Sequence, residues 1–241
     1  MISIVIPAYN EEKILSKTLK AYLSFFPKDS FEFVVVPNGC KDGTVEIARS
    51  FQKNYPNLKV HEIPEPVGKA RAVRKGLSLA AGTIVAYLDA DYSTSPEEFK
   101  KLLIAMKDAD GVIASRLAPG ATVENRTRLR KLAGIIFSKI VKILFWLPYY
   151  DTQCGAKIFT KELLEKILAF SKVNDTAFDV ELLLLARHFK ARIVEYPTHW
   201  FDRSDSVIVG NPAKLIKTSL IMLLTLIKLR FRFLPFFAQN I

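Results

Sequence analysis

Four short, mostly apolar runs alternate with four longer stretches of helical character. The runs are Ile2–Ile6, Phe31–Val36, Leu58–Ile63 and Thr83–Leu88; the stretches are Glu11–Phe25, Asp42–Asn54, Lys69–Ala81 and Pro96–Lys107. Short apolar runs suit strands buried on both faces, and each intervening stretch is long enough for a helical crossover. The alternation predicts an α/β fold, a parallel sheet with helices on both faces. A further strand is expected at Gly111–Ser115. After Pro119 the pattern changes. A basic stretch leads into an apolar helix near Leu132–Leu147, then helices near Lys161–Phe170 and Phe178–Phe189, a strand at Arg192–Tyr196 and a last helix at Pro212–Arg232.

Open α/β sheets bind ligands at the carboxyl ends of their strands, so the residues after each strand carry the chemistry. The fourth run ends in Asp89-Ala90-Asp91. Residues i and i+2 of an extended backbone point the same way, so both carboxylates reach one point beyond the sheet edge. Two hard oxygen ligands there suit Mg²⁺ or Mn²⁺ bridging a diphosphate. The plainer reading is a polar turn before a helix, with Ser95 as N-cap, Pro96 at the first helical position and Glu98 closing a capping box.

At the first strand, Pro7 cannot donate to a ladder and is expected to end it. Tyr9, Asn10 and Glu11 then occupy the edge loop, where an aromatic face suits a nucleobase and the polar groups suit its edge or the ribose. The alternative is a helix start with Asn10 as N-cap. Asn38, after the second strand, offers an amide to a base or is simply a turn residue. Gly68-Lys69 opens the third helix, where an N-terminus with nearby cations suits a phosphate. The alternative there is a solvated basic face.

Half the residues are hydrophobic and the formal net charge is +11, so the expected partners are anionic: phosphates, nucleic acid or an acidic membrane surface. The two cysteines, Cys40 and Cys154, show no metal-ligand spacing, and a reducing compartment is expected. The N-terminus carries no signal-peptide pattern. No segment offers the roughly 20 mostly apolar residues that a membrane span needs.

Together, Ile6-Pro7-Ala8-Tyr9-Asn10-Glu11-Glu12, the Asn38–Thr44 loop and Asp89-Ala90-Asp91 resemble the family 2 glycosyltransferases of the GT-A fold. Downstream, Arg126 to Arg130, Asp151-Thr152-Gln153-Cys154-Gly155-Ala156-Lys157 and Ala177-Phe178-Asp179-Val180-Glu181-Leu182-Leu183 look like the dolichyl-phosphate β-glucosyltransferase branch. Dolichyl-phosphate mannose synthases are close relatives of that branch. The resemblance extends to about Ser206. It implies a Rossmann-like, mixed but mainly parallel sheet; a catalytic domain is expected over residues 1–211, and the apolar and basic pattern beyond it is expected to form an amphipathic helix over 212–241.

The resemblance also implies an inverting transfer of a hexose to a polyprenyl or dolichyl phosphate. The first reading is glucose from UDP-glucose; the alternative is mannose from GDP-mannose. Implied for the nucleotide-sugar donor are Pro7, Tyr9, Asn10, Glu11, Asn38, Lys69, Asp89, Ala90, Asp91 and Arg203, with Asp89 and Asp91 holding Mg²⁺ or Mn²⁺. Arg116, Arg126, Arg130 and Lys157 are candidates for the acceptor phosphate, where arginine suits bidentate contact. Asp91, Asp151 and Asp179 are the implied catalytic residues. Asp179 has an alternative role in a capping box begun by Thr176. Asp179 and Glu181 cannot both face one site on a helix. The chain departs from the family pattern at three places. Pro37-Asn38 replaces an acidic pair, Ser93 stands where mannose synthases often have Gln, and Val207 follows Ser206 where relatives have a basic residue.

A polyprenyl acceptor stays in the bilayer, so the site must meet the headgroup region. Leu132, Ile135, Ile136, Ile140, Ile143, Leu144 and Leu147 recur at helical spacing, Phe137, Phe145 and Trp146 widen that surface, and Lys139 and Lys142 can snorkel to phosphates. The last helix adds Ile221, Leu224 and Leu226 with Lys214, Lys217, Lys228, Arg230 and Arg232, a pattern that favours anionic lipid. A core or dimer role is the alternative for both helices. The expectation is an enzyme held peripherally on the cytoplasmic face of a membrane, without a span. A nucleic-acid binder would instead show a basic stripe interleaved with aromatics. A non-catalytic scaffold would not need the intact aspartate pair, and a polysaccharide or protein acceptor would not need the interfacial helices.

Overall fold

The computed structural model describes residues 1–203 and 212–238. The first part runs β1 (Ile2–Ala8), α1 (Glu12–Phe25), β2 (Phe31–Pro37), α2 (Thr44–Asn54), β3 (Leu58–Val60), α3 (Lys69–Leu79), β4 (Ile84–Tyr87), α4 (Pro96–Ala105) and β5 (Gly111–Ser115). The second part runs β6 (Thr122–Glu124), α5 (Arg128–Phe145), β7 (Lys157–Thr160), α6 (Lys161–Phe170), α7 (Phe178–His188), β8 (Ile193–Pro197), β9 (His199–Phe201) and α8 (Pro212–Ala238).

Seven strands form one sheet in the order β3-β2-β1-β4-β7-β5-β8, and β6 pairs with β9 in a small second sheet. The pairings are parallel except those of β7, which runs antiparallel to both β4 and β5. The expected mixed, mainly parallel sheet is therefore present. Successive side chains alternate between its faces. On β1, Ile4 and Ile6 join a core with Leu15, Leu19, Ala48, Phe51, Phe99 and Leu102, so α1, α2 and α4 cover that face. Val5 joins the opposite core with Val73, Leu77, Leu164, Leu183 and Phe145, under α3, α5, α6 and α7.

Pro7 does not end β1, contrary to expectation: the strand continues to Ala8, with Pro7 beside Val36 of β2. The reason is parity along the strand. Val5 O accepts from Leu88 N on the β4 side, while Ala8 O accepts from Asn38 N on the β2 side. Pro7 shares the parity of Val5, and its missing N–H faces the region beyond the end of β4, where no ladder partner is required.

Of the two apolar helices, α5 begins earlier than expected because Thr127 caps it, accepting from Arg130 N at 3.3 Å. Leu129, Leu132, Ile136 and Ile143 are exposed, Ile143 at 74%, whereas Phe145 and Leu147 turn inward. Helix α8 buries Leu226, Leu229 and Phe233 in the core and exposes Leu220, Leu224, Ile227 and Phe231. Arg232 and Arg230, part of the basic pattern expected to favour anionic lipid, have protein partners. Arg232 Nη1 lies 2.5 Å from the fully buried Glu181, and Arg230 stacks on Trp146. The side chains of Lys214 and Lys217, with Ser206 and Val207, lie outside the described residues. Among the described residues, no helix is long and apolar enough to cross a membrane.

Candidate active site

The loops after β1, β2 and β4 meet at one sheet edge. Leu88 N donates to Val5 O, which ends the β4 ladder, and Asp89-Ala90-Asp91 leaves the sheet there. Two buried side chains of α1 fix this segment. Thr18 Oγ1 donates to the Ala90 carbonyl at 2.7 Å, and the Tyr22 hydroxyl donates to the Thr94 carbonyl at 2.9 Å. Ser95 caps α4, with Glu98 N 3.3 Å from its hydroxyl and Pro96 at the first helical position. Glu98 does not close a capping box; its carboxylate accepts from His199 N at 2.9 Å. The turn and the paired carboxylates thus coexist.

Burial and the neighbouring Asp89 raise the Asp91 carboxyl above its usual range. Its Oδ1 accepts from Ser93 N at 3.0 Å. Glu11 is pushed up to about 7 by burial and then by Asp91, against the lowering effect of Arg203. Negative charge is therefore concentrated at this edge. Lys69, the first residue of α3, answers part of it, with Nζ 2.5 Å from Asp89 Oδ1. Burial would lower the Lys69 ammonium, but Asp89, Asp179 and Asp91 outweigh it and raise it. The other Asp89 oxygen lies against the chain at Gly155, where a Cβ would fall 1.9 Å from Oδ2. Among the described residues there is no cluster of three or more metal-ligating side chains. Two hard carboxylates, with phosphate oxygens and water completing the shell, fit Mg²⁺ or Mn²⁺ well.

Asn10 is not the expected N-cap. It adopts a left-handed φ of 54°, its Oδ1 accepts from Lys41 N at 2.8 Å, and Glu11 takes the cap position. Asn38 is buried and spends its amide N–H on the Ala8 carbonyl at 3.0 Å. Tyr9 is exposed at the rim of the edge loop.

The arginines gather beside this edge. Arg116 forks onto Asp151, with Nε to Oδ2 at 2.7 Å and Nη2 to Oδ1 at 3.1 Å, and lies over the Trp200 ring. Burial would raise the Asp151 carboxyl, but Arg116 brings it down to about 2. Asp151 is held from behind, its N–H donating to Glu195 at 2.8 Å. Arg130 donates to Asp202 at 2.6 Å and to the Arg203 carbonyl at 2.9 Å. The Arg126 side chain is only 9% exposed, and Nε and Nη1 have no hydrogen-bond partner among the described residues. Its Nε lies 3.9 Å from Asp202, beyond hydrogen-bond reach. Burial, then the charge of Arg116, lowers the Arg126 guanidinium.

Lys157 departs from the expected acceptor cluster. It lies on β7 between β4 and β5, its side chain is 0% exposed, and Nζ donates to Asp179 Oδ1 and the Cys154 carbonyl at 2.6 and 2.7 Å. The Tyr87 hydroxyl also donates to Asp179 Oδ1. Lys157 is therefore spent on internal partners rather than presented to the acceptor cluster. Asp179 is likewise no capping-box residue, since Ala177 is the N-cap of α7 and Asp175 Oδ1 accepts from Ala177 N. Asp179 and Glu181 diverge as expected. Glu181 instead holds the 171–173 segment, accepting from Ser171 Oγ, Lys172 N and Val173 N.

Residues 3–168 match the model of glycosyl transferase family 2. The chain belongs to that family. Dolichyl-phosphate β-glucosyltransferases are similar along most of this family 2 chain. The enzyme of Drosophila melanogaster is 33% identical over 83% of the chain and 67% of its own length. That of Homo sapiens is 32% identical over 86% and 69%, and that of Trichomonas vaginalis is 32% identical over 84% and 64%. The chain thus spans about two thirds of the length of these relatives. Among solved structures, glucosyl-3-phosphoglycerate synthase of Mycobacterium tuberculosis, in complex with Mn²⁺, UDP and its product, superposes with a TM-score of 0.71. It is 18% identical, with 95% of this chain and 79% of that one covered. Mannosyltransferase PcManGT of Pyrobaculum calidifontis, in complex with GDP-Man and Mn²⁺, gives 0.62 at 20% identity, covering 87% and 59%. These likenesses establish the GT-A fold of this family 2 chain.

Sequence reasoning missed the supports of the candidate site. Thr18 and Tyr22 read as ordinary positions of an amphipathic helix, and Glu195 as a polar residue on a strand. Gly155 and Gly134 carry no chemistry themselves; each leaves room for a charged group. A Cβ at Gly134 would fall 2.6 Å from Arg126 Nη2. An apolar run around Ile158-Phe159 was the available signal for β7, but the adjoining Lys157 disguised it.

Proposed function

We propose that this protein is an inverting hexosyltransferase that moves glucose from UDP-glucose onto a polyprenyl phosphate of the dolichyl class at a membrane surface. One observation carries the acceptor assignment: the enclosed Arg126 guanidinium has two nitrogens, Nε and Nη1, without a hydrogen-bond partner among the described residues, beside Arg116 and Arg130. A buried cation with unspent donors calls for an anion, and a phosphate suits its fork. The same arginine lies just before α5, whose N-terminus favours negative charge and whose exposed Leu129 and Leu132 adjoin it. A lipid phosphate would rest its head there and its chain along the apolar surface of α5 and α8. The similarity to dolichyl-phosphate β-glucosyltransferases supports both the lipid and the sugar.

The chemistry needs little from a base. A phosphomonoester has a second pKa of about 6 and is already mostly dianionic at neutral pH, so its oxygen attacks the anomeric carbon unaided. The harder task is holding two anionic substrates together. Arg126 answers the charge of the acceptor, and Arg116, aimed by Asp151, lies beside it. Arg203, electrostatically coupled to Glu11, faces the donor side, and its carbonyl receives Arg130, so the two halves share one scaffold. Asp89 and Asp91 would hold a divalent cation, which when bound supplies charge neutralisation for the departing diphosphate. Asp179 serves with Lys157 and Tyr87 as a buried brace under that edge rather than as a base.

The exposed apolar surfaces of α5 and α8 support peripheral attachment. Arg116, Arg130 and Arg232 are paired with carboxylates, which disfavours a nucleic-acid stripe. The deciding experiment incubates the protein with radiolabelled UDP-glucose or GDP-mannose and a polyprenyl phosphate, then extracts with organic solvent. Lipid-bound glucose is the expected product. Label that never enters the organic phase from either donor would refute the proposal, and mannose alone would reassign the sugar. Flotation with anionic vesicles tests the attachment.

A further inference from the structure

Lys69 engages one of the carboxylates proposed to hold the ion. Its ammonium lies 2.5 Å from Asp89 Oδ1, while Asp89 Oδ2 is backed by Gly155. One oxygen of the carboxylate is thus taken by the ammonium and the other is walled by backbone. Across the site, Asp91 Oδ1 is engaged by Ser93 N. An ion approaching Asp89 therefore meets a positive charge already in place. That charge is movable: Lys69 sits at the start of α3 on a flexible four-carbon stem, and its side chain is 45% exposed.

We propose that Lys69 is an exchangeable internal cation. In the ion-free protein it neutralises Asp89. An arriving divalent ion takes over that carboxylate, and the released ammonium turns to the diphosphate of the donor. The exchange orders the assembly of the site, since the lysine that grips the donor becomes available only once the ion is bound. This inference rests on the ion-assisted transfer proposed above.

The test uses the full chain with Mn²⁺ and UDP as probes. Mn²⁺ binding is followed by electron paramagnetic resonance, and the availability of Lys69 by reductive methylation read by mass spectrometry. Lys75, exposed on the same helix, is the internal reference. Saturating Mn²⁺ should increase methylation of Lys69 relative to Lys75 at least ~2-fold, and UDP added with Mn²⁺ should suppress it again. The K69M variant should bind Mn²⁺ roughly 2- to 5-fold tighter, the scale of one partly exposed ion pair, and should bind UDP with Mn²⁺ more weakly. Mn²⁺ that saturates the wild type without changing Lys69 methylation overturns the exchange and leaves the ion site standing. No Mn²⁺ binding by either protein removes the ion site and the exchange together.

Discussion

Replacing Gly155 by Ala tests the link between backbone packing and the carboxylate pair. The new methyl carbon would lie 1.9 Å from Asp89 Oδ2 and 2.5 Å from its Cγ. Contact between non-bonded heavy atoms is comfortable only near 3.5 Å, so the carboxylate must withdraw by about 1.5 Å. Asp89 has room to do so because its side chain is partly exposed, and the fold should survive at a cost of about 1–3 kcal/mol. The site should not survive as well, because a displacement of about 1 Å in a positioned group costs roughly 100-fold in rate. Circular dichroism and urea titration would report the fold, Mn²⁺ titration the ion, and lipid extraction the transfer. A G155A protein with wild-type Mn²⁺ affinity and turnover would refute the argument that Asp89 is held in place by this close approach.

Three further outcomes follow from other parts of the site. The K157M variant strands the Asp179 charge in the core and should lose about 3–5 kcal/mol in urea unfolding, most of it regained in K157M/D179L; a loss below about 1 kcal/mol would mean the pair is not a buried brace. The G134A variant crowds Arg126 Nη2 and should raise KM for the polyprenyl phosphate roughly tenfold, the scale of one weakened charged hydrogen bond, with donor KM unchanged. Equal changes in both constants would place Arg126 elsewhere in the mechanism. Glu11 titrates near 7 when folded against 4.5 ordinarily, so its contribution to ion-free stability is full below about pH 4.5 and declines as pH rises through 7. Thermal melts of the E11Q variant should lack that decline, and an unchanged profile would show that Glu11 is not the group responsible.

Much of the proposed donor half was legible in the chain. The first four strands announce themselves by apolar runs, and their C-terminal ends must fall at one edge if the strands are parallel. Asp89 and Asp91 can therefore be placed at that edge from the sequence, as can Tyr9, Asn10 and Glu11 in the neighbouring loop. The proposed acceptor half was less legible. Arg126 and Lys157 look alike as cations near an apolar helix or turn, yet one is enclosed with donors unspent and the other is neutralised by Asp179. Helical spacing also assigned Phe145, Leu147 and Leu226 to an outer surface, although they fill the core. Periodicity identifies an apolar side of a helix and is silent on how much of it a neighbour covers.

The sequence alone determined the alternation of strands and helices and the polar groups that end each strand, because both follow from local spacing and side-chain type. Only the tertiary structure decided that β7 enters antiparallel between β4 and β5, bringing Lys157 beside Tyr87 and Asp179 and Gly155 against Asp89. Strand order sets which charges meet across a sheet, and that order depends on competing long-range pairings rather than on any local pattern.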